Sequence, residues 1–192
     1  MTKWKNRSEV ERVFSPSHWG YVLQNPEKAY MADCPSLMQY DALYGNGSSE
    51  LWIDMQVSCI FGASNSKEKG VADGIRLFCQ SFAAEAKVYK LSELMLFFAR
   101  YKAGKYDNSF ASFDARRIGN AFFKEFKTER ECELDAMNRK RVQDEIERRR
   151  FIPPAGHTSW SWVQELRKRA ASGDEEAIRQ LTPPQGGTTC RE

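Results

Sequence analysis

Helix start and stop signals recur from end to end of this 192-residue chain, and no stretch alternates apolar with polar residues; together these restrict the fold more than any other feature. Ser15-Pro16 and Asn25-Pro26 each place a capping side chain before a proline suited to a first helical turn, predicting two short helices. Residues 36–44 stop at Gly45-Asn46-Gly47, and Ser48-Ser49 cap a helix over ELWIDMQVSCIF that closes at Gly62. Its apolar residues lie almost all round, which makes it the expected central core helix. Ser66 opens a helix with Val71, Ile75, Phe78, Cys79 and Phe82 at helical spacing. Ser92 is the expected cap of a helix over 93–103, with Leu94, Phe97, Phe98 and Tyr101 on one face and Gly104 as terminator. Asp114 caps a long helix expected to reach Arg150, where Phe151-Ile152-Pro153-Pro154 ends it. SWSWVQELRKRAAS and a short segment from Asp174 supply two more helices.

The expected fold is therefore all-α: a single helical-bundle domain with a long charged helix and a C-terminal helical extension. Its core spans 1–130, the extension 131–181 and a loose tail 182–192. Beyond Thr128 only Leu134, Met137, Val142 and Ile146 interrupt a dense field of charges. Pairs such as Asp135/Arg139 and Asp144/Arg148 stand at i,i+4 in the favourable order, each supporting the helix by about 0.2–0.5 kcal/mol. That helix either projects or carries a thin apolar seam.

Charge and cysteine usage narrow the setting. The chain has 29 Lys and Arg against 26 Asp and Glu, a net +3, so a polyanion signal has to be local. Five widely spaced cysteines without a CxxC pair suggest neither a disulfide framework nor zinc, and fit a reducing cytoplasm. No hydrophobic leader or membrane-length apolar run occurs, so the expectation is a soluble cytoplasmic chain with no membrane partner.

The local signal sits at 91–127. On a wheel of the helix from Asp114, Ala115, Ile118, Phe122 and Phe126 share one face, while Arg116, Asn120, Lys124 and Lys127 oppose it with Arg117 at the border. Upstream, Arg100, Lys102 and Lys105 alternate with Tyr101, Tyr106, Phe110 and Phe113. A helix, a glycine-containing turn and a second helix with Arg in its first turn can lay a helix end against phosphates. The candidate nucleic-acid-binding residues are thus Arg100, Lys102, Lys105, Tyr106, Phe110, Arg116, Arg117, Lys124 and Lys127. Tyr106 and Phe110 are the rings placed to stack on exposed bases of a single strand. The competing reading is a merely solvated cationic face.

Catalytic and metal motifs do not materialise. His18 and His157 are the only histidines, and neither has motif spacing to a cysteine or to a second metal ligand. Gly45 to Ser49 precedes a helix, but no Lys-Ser/Thr follows and a turn plus cap explains it. Asp114 and Glu125 would lie about 16 Å apart along one helix, too far to share a metal. The expectation is no enzyme activity, no metal and no small-molecule cofactor.

At FFARYKAGKYD and FDARRIGNAFFKEF the chain resembles a family of small helical proteins from Bacteroides-type bacteria and their mobile elements, over about residues 91–130. The family pattern is an aromatic pair, a basic residue, Gly and Tyr, then an Asp opening a helix that ends in an aromatic, acidic and basic run. This chain departs from it at Tyr106-Asp107, where the pattern has Tyr-Gly, and at Ala115, where Pro follows the Asp. The resemblance implies a bacterial cytosolic helical protein of a phage or integrated element, and nothing catalytic. The function expected is a non-catalytic nucleic-acid-associated accessory protein contacting DNA or RNA backbone phosphates through a basic helix face. The alternative is a protein-interaction or assembly module that pairs with a protein or with itself through the seam of helix 131–150.

Overall fold

The computed structural model describes residues 4, 6–61, 69–106, 112–149 and 154–181. Of the described residues 79% are helical, and they form no strand. The expected all-α class is therefore shown. The chain divides into two compact units, Met1–Asn138 and Arg139–Glu192.

The first unit begins with α1 (Arg7–Val13), a one-turn 3-10 segment at Pro16–His18, α2 (Trp19–Gln24) and α3 (Pro26–Met31). It continues through α4 (Leu37–Tyr44), α5 (Ser48–Phe61), α6 (Lys69–Glu85) and α7 (Leu91–Lys102). Ser15 caps its 3-10 turn as expected, whereas Asn25 makes no side-chain cap hydrogen bond to α3. Ser36 accepts from the Gln39 N–H while the Gln39 side chain accepts from the Ser36 N–H, a reciprocal capping box. Gly104 takes a φ of 79° directly after α7, a backbone state that costs other residues more.

The centre is α7, and this corrects the expectation that placed α5 there. Every residue from Leu91 to Tyr101 is buried. The segment α5 is one-sided instead: Trp52, Ile53, Gln56, Val57 and Ile60 face inward, whereas Leu51 is 60% exposed and Asp54, Ser58 and Cys59 are exposed. Its outer polar residues decide the matter, because α5 can leave that side in water. In LSELMLFFARY no sector of the helix is wholly polar, and burial on all sides follows. Helix α7 packs against α2, α3 and α5. Phe97 and Phe82 flank the Phe122 ring with centroids 4.9 and 4.8 Å away, each such pair adding about 0.5–1.5 kcal/mol beyond area burial.

Burying α7 whole obliges its polar residues to find partners inside. Ser92, expected as a cap, lies within the helix and donates to the Ala29 carbonyl at 2.6 Å. Lys90 holds the cap position: its N–H donates to Glu93 Oε2 at 3.2 Å, and its Nζ reaches the Tyr30 and Ala32 carbonyls at the end of α3. Glu93 also receives Arg130 at 2.9 Å, and the Arg130 guanidinium lies over the Tyr89 ring. Among the described residues no buried side-chain nitrogen or oxygen lacks a partner.

The helix from Asp114 is interrupted rather than continuous. It comprises α8 (Ala115–Asn120), a π-helical turn over Ala121–Phe126, and α9 (Lys127–Arg149). In a regular α-helix residues four apart drift by about 40°, so Ile118, Phe122 and Phe126 would diverge by about 80°. The wider π turn cancels that drift. All three rest at 0% exposure, and Leu134 and Met137 of α9 pack against the same core. The first compact unit runs to Asn138 and so includes this part of α9.

The second unit holds the remainder of α9, α10 (Ser159–Ala171) and α11 (Glu175–Leu181). Thr158 accepts from the Ser161 N–H to start α10, and Gly173 at a φ of 90° turns the chain into α11. Asp174 accepts from Arg169 and from the N–H groups of Glu176 and Ala177, so one carboxylate ties the two helices. Buried residues here are Leu166 and Ala177, a small core. Trp160 is 74% exposed, while Trp162 sits edge-on to His157 at 5.3 Å. The expected tail at 182–192 lies outside the described residues.

Candidate nucleic-acid interface

The eight described residues among the nine singled out in the sequence do not form one surface. Arg100 is 7% exposed, enclosed by its own helix and by α9. Its Nη1 donates to Tyr30 Oη at 3.2 Å and lies 3.1 Å from Glu129, while Nη2 donates to both Glu133 oxygens at 2.8 and 3.1 Å. Burial alone would lower the guanidinium; Tyr30, Glu133 and Glu129 outweigh it and hold Arg100 above its ordinary value. A charge so enclosed cannot reach a phosphate, and Arg100 leaves the candidate set.

Of its neighbours Tyr106 is half-buried, while Lys102 and Lys105 are exposed but tied down by partners within the chain. Tyr106 stacks on Phe97 with centroids 5.8 Å apart and donates to Glu129 Oε2 at 2.6 Å. Burial, then the Glu129 carboxylate, push its phenol well above the usual range. Such a ring is not offered to a base. Lys105 pairs with the other oxygen of Glu129, and Lys102 donates to the Ile60 carbonyl at 2.6 Å. Glu129 therefore gathers Arg100, Lys105 and Tyr106. Partial burial would raise its pKa, but the Lys105 and Tyr106 hydrogen bonds and the Arg100 charge hold it below the usual carboxylate value. Phe110 lies outside the described residues.

Arg116, Arg117, Lys124 and Lys127 remain exposed along α8, the π turn and the start of α9. Asp114 fixes where this surface begins: its Oδ1 accepts from the Arg116 and Arg117 N–H groups at 2.9 and 3.2 Å, and its Oδ2 lies 3.4 Å from Arg117 Nε. The wheel opposing these charges to Ile118, Phe122 and Phe126 holds, but Ala115, expected on the same apolar face, is exposed. The π turn keeps the apolar residues inward while Lys124 stays out.

The partners of Arg100 escaped the sequence reading, though a signal was present. Phe126, Glu129, Glu133 and Met137 recur at i, i+3, i+7 and i+11, so two carboxylates fall in an otherwise inward stripe. A lone Arg between Phe97-Phe98 and Tyr101 was their counterpart. The seam of α9 also divides. Leu134 and Met137 are spent on the first unit's core, while Val142 and Ile146 are 60% and 57% exposed. The spacing 3, 5, 4 between these four residues explains it, because the later pair is rotated by about 130° from the earlier one at 100° per residue.

Net charge distributes unevenly. Through Asn138, 18 Lys and Arg balance 18 Asp and Glu; residues 139–192 carry 11 against 8, the whole of the +3. Among the described residues no helix is long and apolar enough to cross a membrane, and no three His, Cys, Asp or Glu side chains converge as a metal would require. No family model matches the chain, and neither does any curated protein or solved structure.

Proposed function

We propose that the chain is a non-catalytic nucleic-acid-associated accessory protein that touches backbone phosphates through Arg116, Arg117, Lys124 and Lys127. The observation that supports this reading is the division of charge along one helix. Glu129 and Glu133 are turned towards Arg100, while these four cations keep their side chains in solvent with Glu125 as the one exposed carboxylate between them. Such contacts give affinity with little sequence choice. A cytoplasmic setting is supported by cysteine usage, since Cys34, Cys59, Cys79 and Cys132 are all free thiols. The resemblance of residues 91–130 to proteins of mobile elements supports a phage or integrated element as its source.

The test is a salt titration with a labelled single strand and a labelled duplex, followed by fluorescence anisotropy. Four phosphate contacts give a log-log slope of about −3 on the single strand and about −3.6 on the duplex. Arg116→Ala/Lys124→Ala removes about 1.4 from the single-strand slope, whereas Lys102→Ala leaves it unchanged. An absence of binding at low salt, or unaltered binding by the double variant, ends the proposal.

A second reading, assembly through α9, is favoured by the exposure of Val142 and Ile146 one turn apart on the same helix. It expects light scattering to show a concentration-dependent dimer that Val142→Glu/Ile146→Glu abolishes. A monomer at every concentration removes it.

A further inference from the structure

We propose that a cleft walled by α1, α2, α3 and α7 is a docking site for an acidic peptide segment that inserts one large apolar side chain. The cleft encloses about 230 Å3. Ligand pockets for drug-sized molecules run about 300–1,000 Å3, so this one is scaled to a single side chain. Val13, Val22, Ala32 and Met95 make its walls apolar, and Val13 is left 36% exposed at the mouth.

The rim decides the class of partner. Arg12 and Lys28 stand on it with His18 and Tyr21, and no Asp or Glu lines the cleft among the described residues. Lys28 Nζ is held by Tyr21 Oη at 3.0 Å and lies 5.2 Å from the centre of that ring, which fixes a cation at the edge of the apolar opening. Arg12 has no carboxylate partner among the described residues. Two cations of one sign around an apolar hole complement carboxylates flanking a Leu, Phe or Trp, and they repel a basic segment. A nucleobase fits less well. Of the rings that line it, Phe14 is buried and Tyr21 is engaged by Lys28, whereas strand-binding proteins stack bases on open aromatic faces.

The cleft is remote in sequence from Arg116 to Lys127, so the two sites are separable by experiment. Fluorescence anisotropy on the full chain uses three labelled probes: Glu-Glu-Leu-Trp-Glu-Glu, Lys-Lys-Leu-Trp-Lys-Lys and Glu-Glu-Ala-Ser-Glu-Glu. The expected result is saturable binding of the first alone, weakened at least about tenfold by Arg12→Glu/Lys28→Glu. Ala32→Trp, which fills the hole while leaving the rim charges in place, abolishes it; circular dichroism confirms that both variants fold. Arg116→Ala/Lys124→Ala leaves peptide binding unchanged. Failure of the first probe to bind, equal binding of the basic or the Ala-Ser probe, or indifference to the rim reversal overturns the proposal. Binding of a labelled oligothymidine that Ala32→Trp abolishes equally well also overturns it, by assigning the cleft to nucleic acid.

Discussion

A single arginine shows how little a residue's type says about its task until its surroundings are known. Arg100 is one of nine residues expected on a phosphate surface, and it is instead the cation that neutralises Glu129 and Glu133 beneath α9. Removing it leaves two carboxylates half-enclosed without their counter-charge, so Arg100→Met is expected to cost about 3 kcal/mol in urea unfolding. Glu129 gives a pH signature with a defined sign. Its folded pKa is depressed, so its stabilisation is present above the ordinary carboxylate value near 4.3 and is lost as pH falls through the folded value. Glu129→Gln should therefore be less stable at neutral pH and lose less stability on acidification, as thermal midpoints across that window will show. Cysteines divide by burial in the same way. Burial pushes the Cys79 thiol up to about 12 and raises Cys34, whereas Cys59 and Cys132 are exposed. Brief iodoacetamide treatment at neutral pH should label Cys59 and Cys132 and spare Cys34 and Cys79, as read by peptide mass spectrometry.

At the scale of the element, the π turn is the feature with the largest consequence. It holds Ile118, Phe122 and Phe126 in one line and so aims Glu129 and Glu133 at Arg100. Deleting the exposed Lys124 restores an ordinary α-helix while returning the later residues to nearly the same bearing. Unfolding free energy is expected to change by no more than about 1 kcal/mol. Inserting one alanine at the same place rotates everything beyond it by about 100°, swings both carboxylates off Arg100 and unseats Phe126. That variant should lose several times more stability than the deletion does. Equal losses would show that the turn does not set the register.

Over the whole molecule, burial and charge are segregated by unit. The hydrophobic core runs from Val10 to Phe126 and its outlying contacts end at Met137, whereas the second unit buries Leu166 and Ala177. A chain ended after Asn138 should still unfold cooperatively by circular dichroism, within a few degrees of the full chain, because it keeps every residue of that core. The shortened chain also carries no formal net charge, so its retention on a cation exchanger at pH 7 should fall sharply.

Several local features were legible from residues alone because their causes are local. Asp114, Ser36 and Gly104 mark helix ends through hydrogen bonds and backbone preferences that act within one turn. The lack of any alternating stretch sufficed for the all-α class. The wheel at 115–126 opposed Ile118 and Phe122 to Arg116 and Lys124 as found, since helical spacing is a property of the chain itself, but Ala115 is exposed and Phe126 stays in line through a π turn that the wheel did not contain. What the sequence could not reveal was which helix would be surrounded, or which charges would be spent inside. Both depend on partners distant along the chain: Tyr30 and Glu133 lie 70 and 33 residues from Arg100. Sequence determined the helices and most of their faces; tertiary packing alone decided that α7 sits at the centre and that Arg100, with Tyr106 beside it, is spent on Glu129 and Glu133 rather than on the surface, because only contact over such separations can outweigh the hydration of a charge.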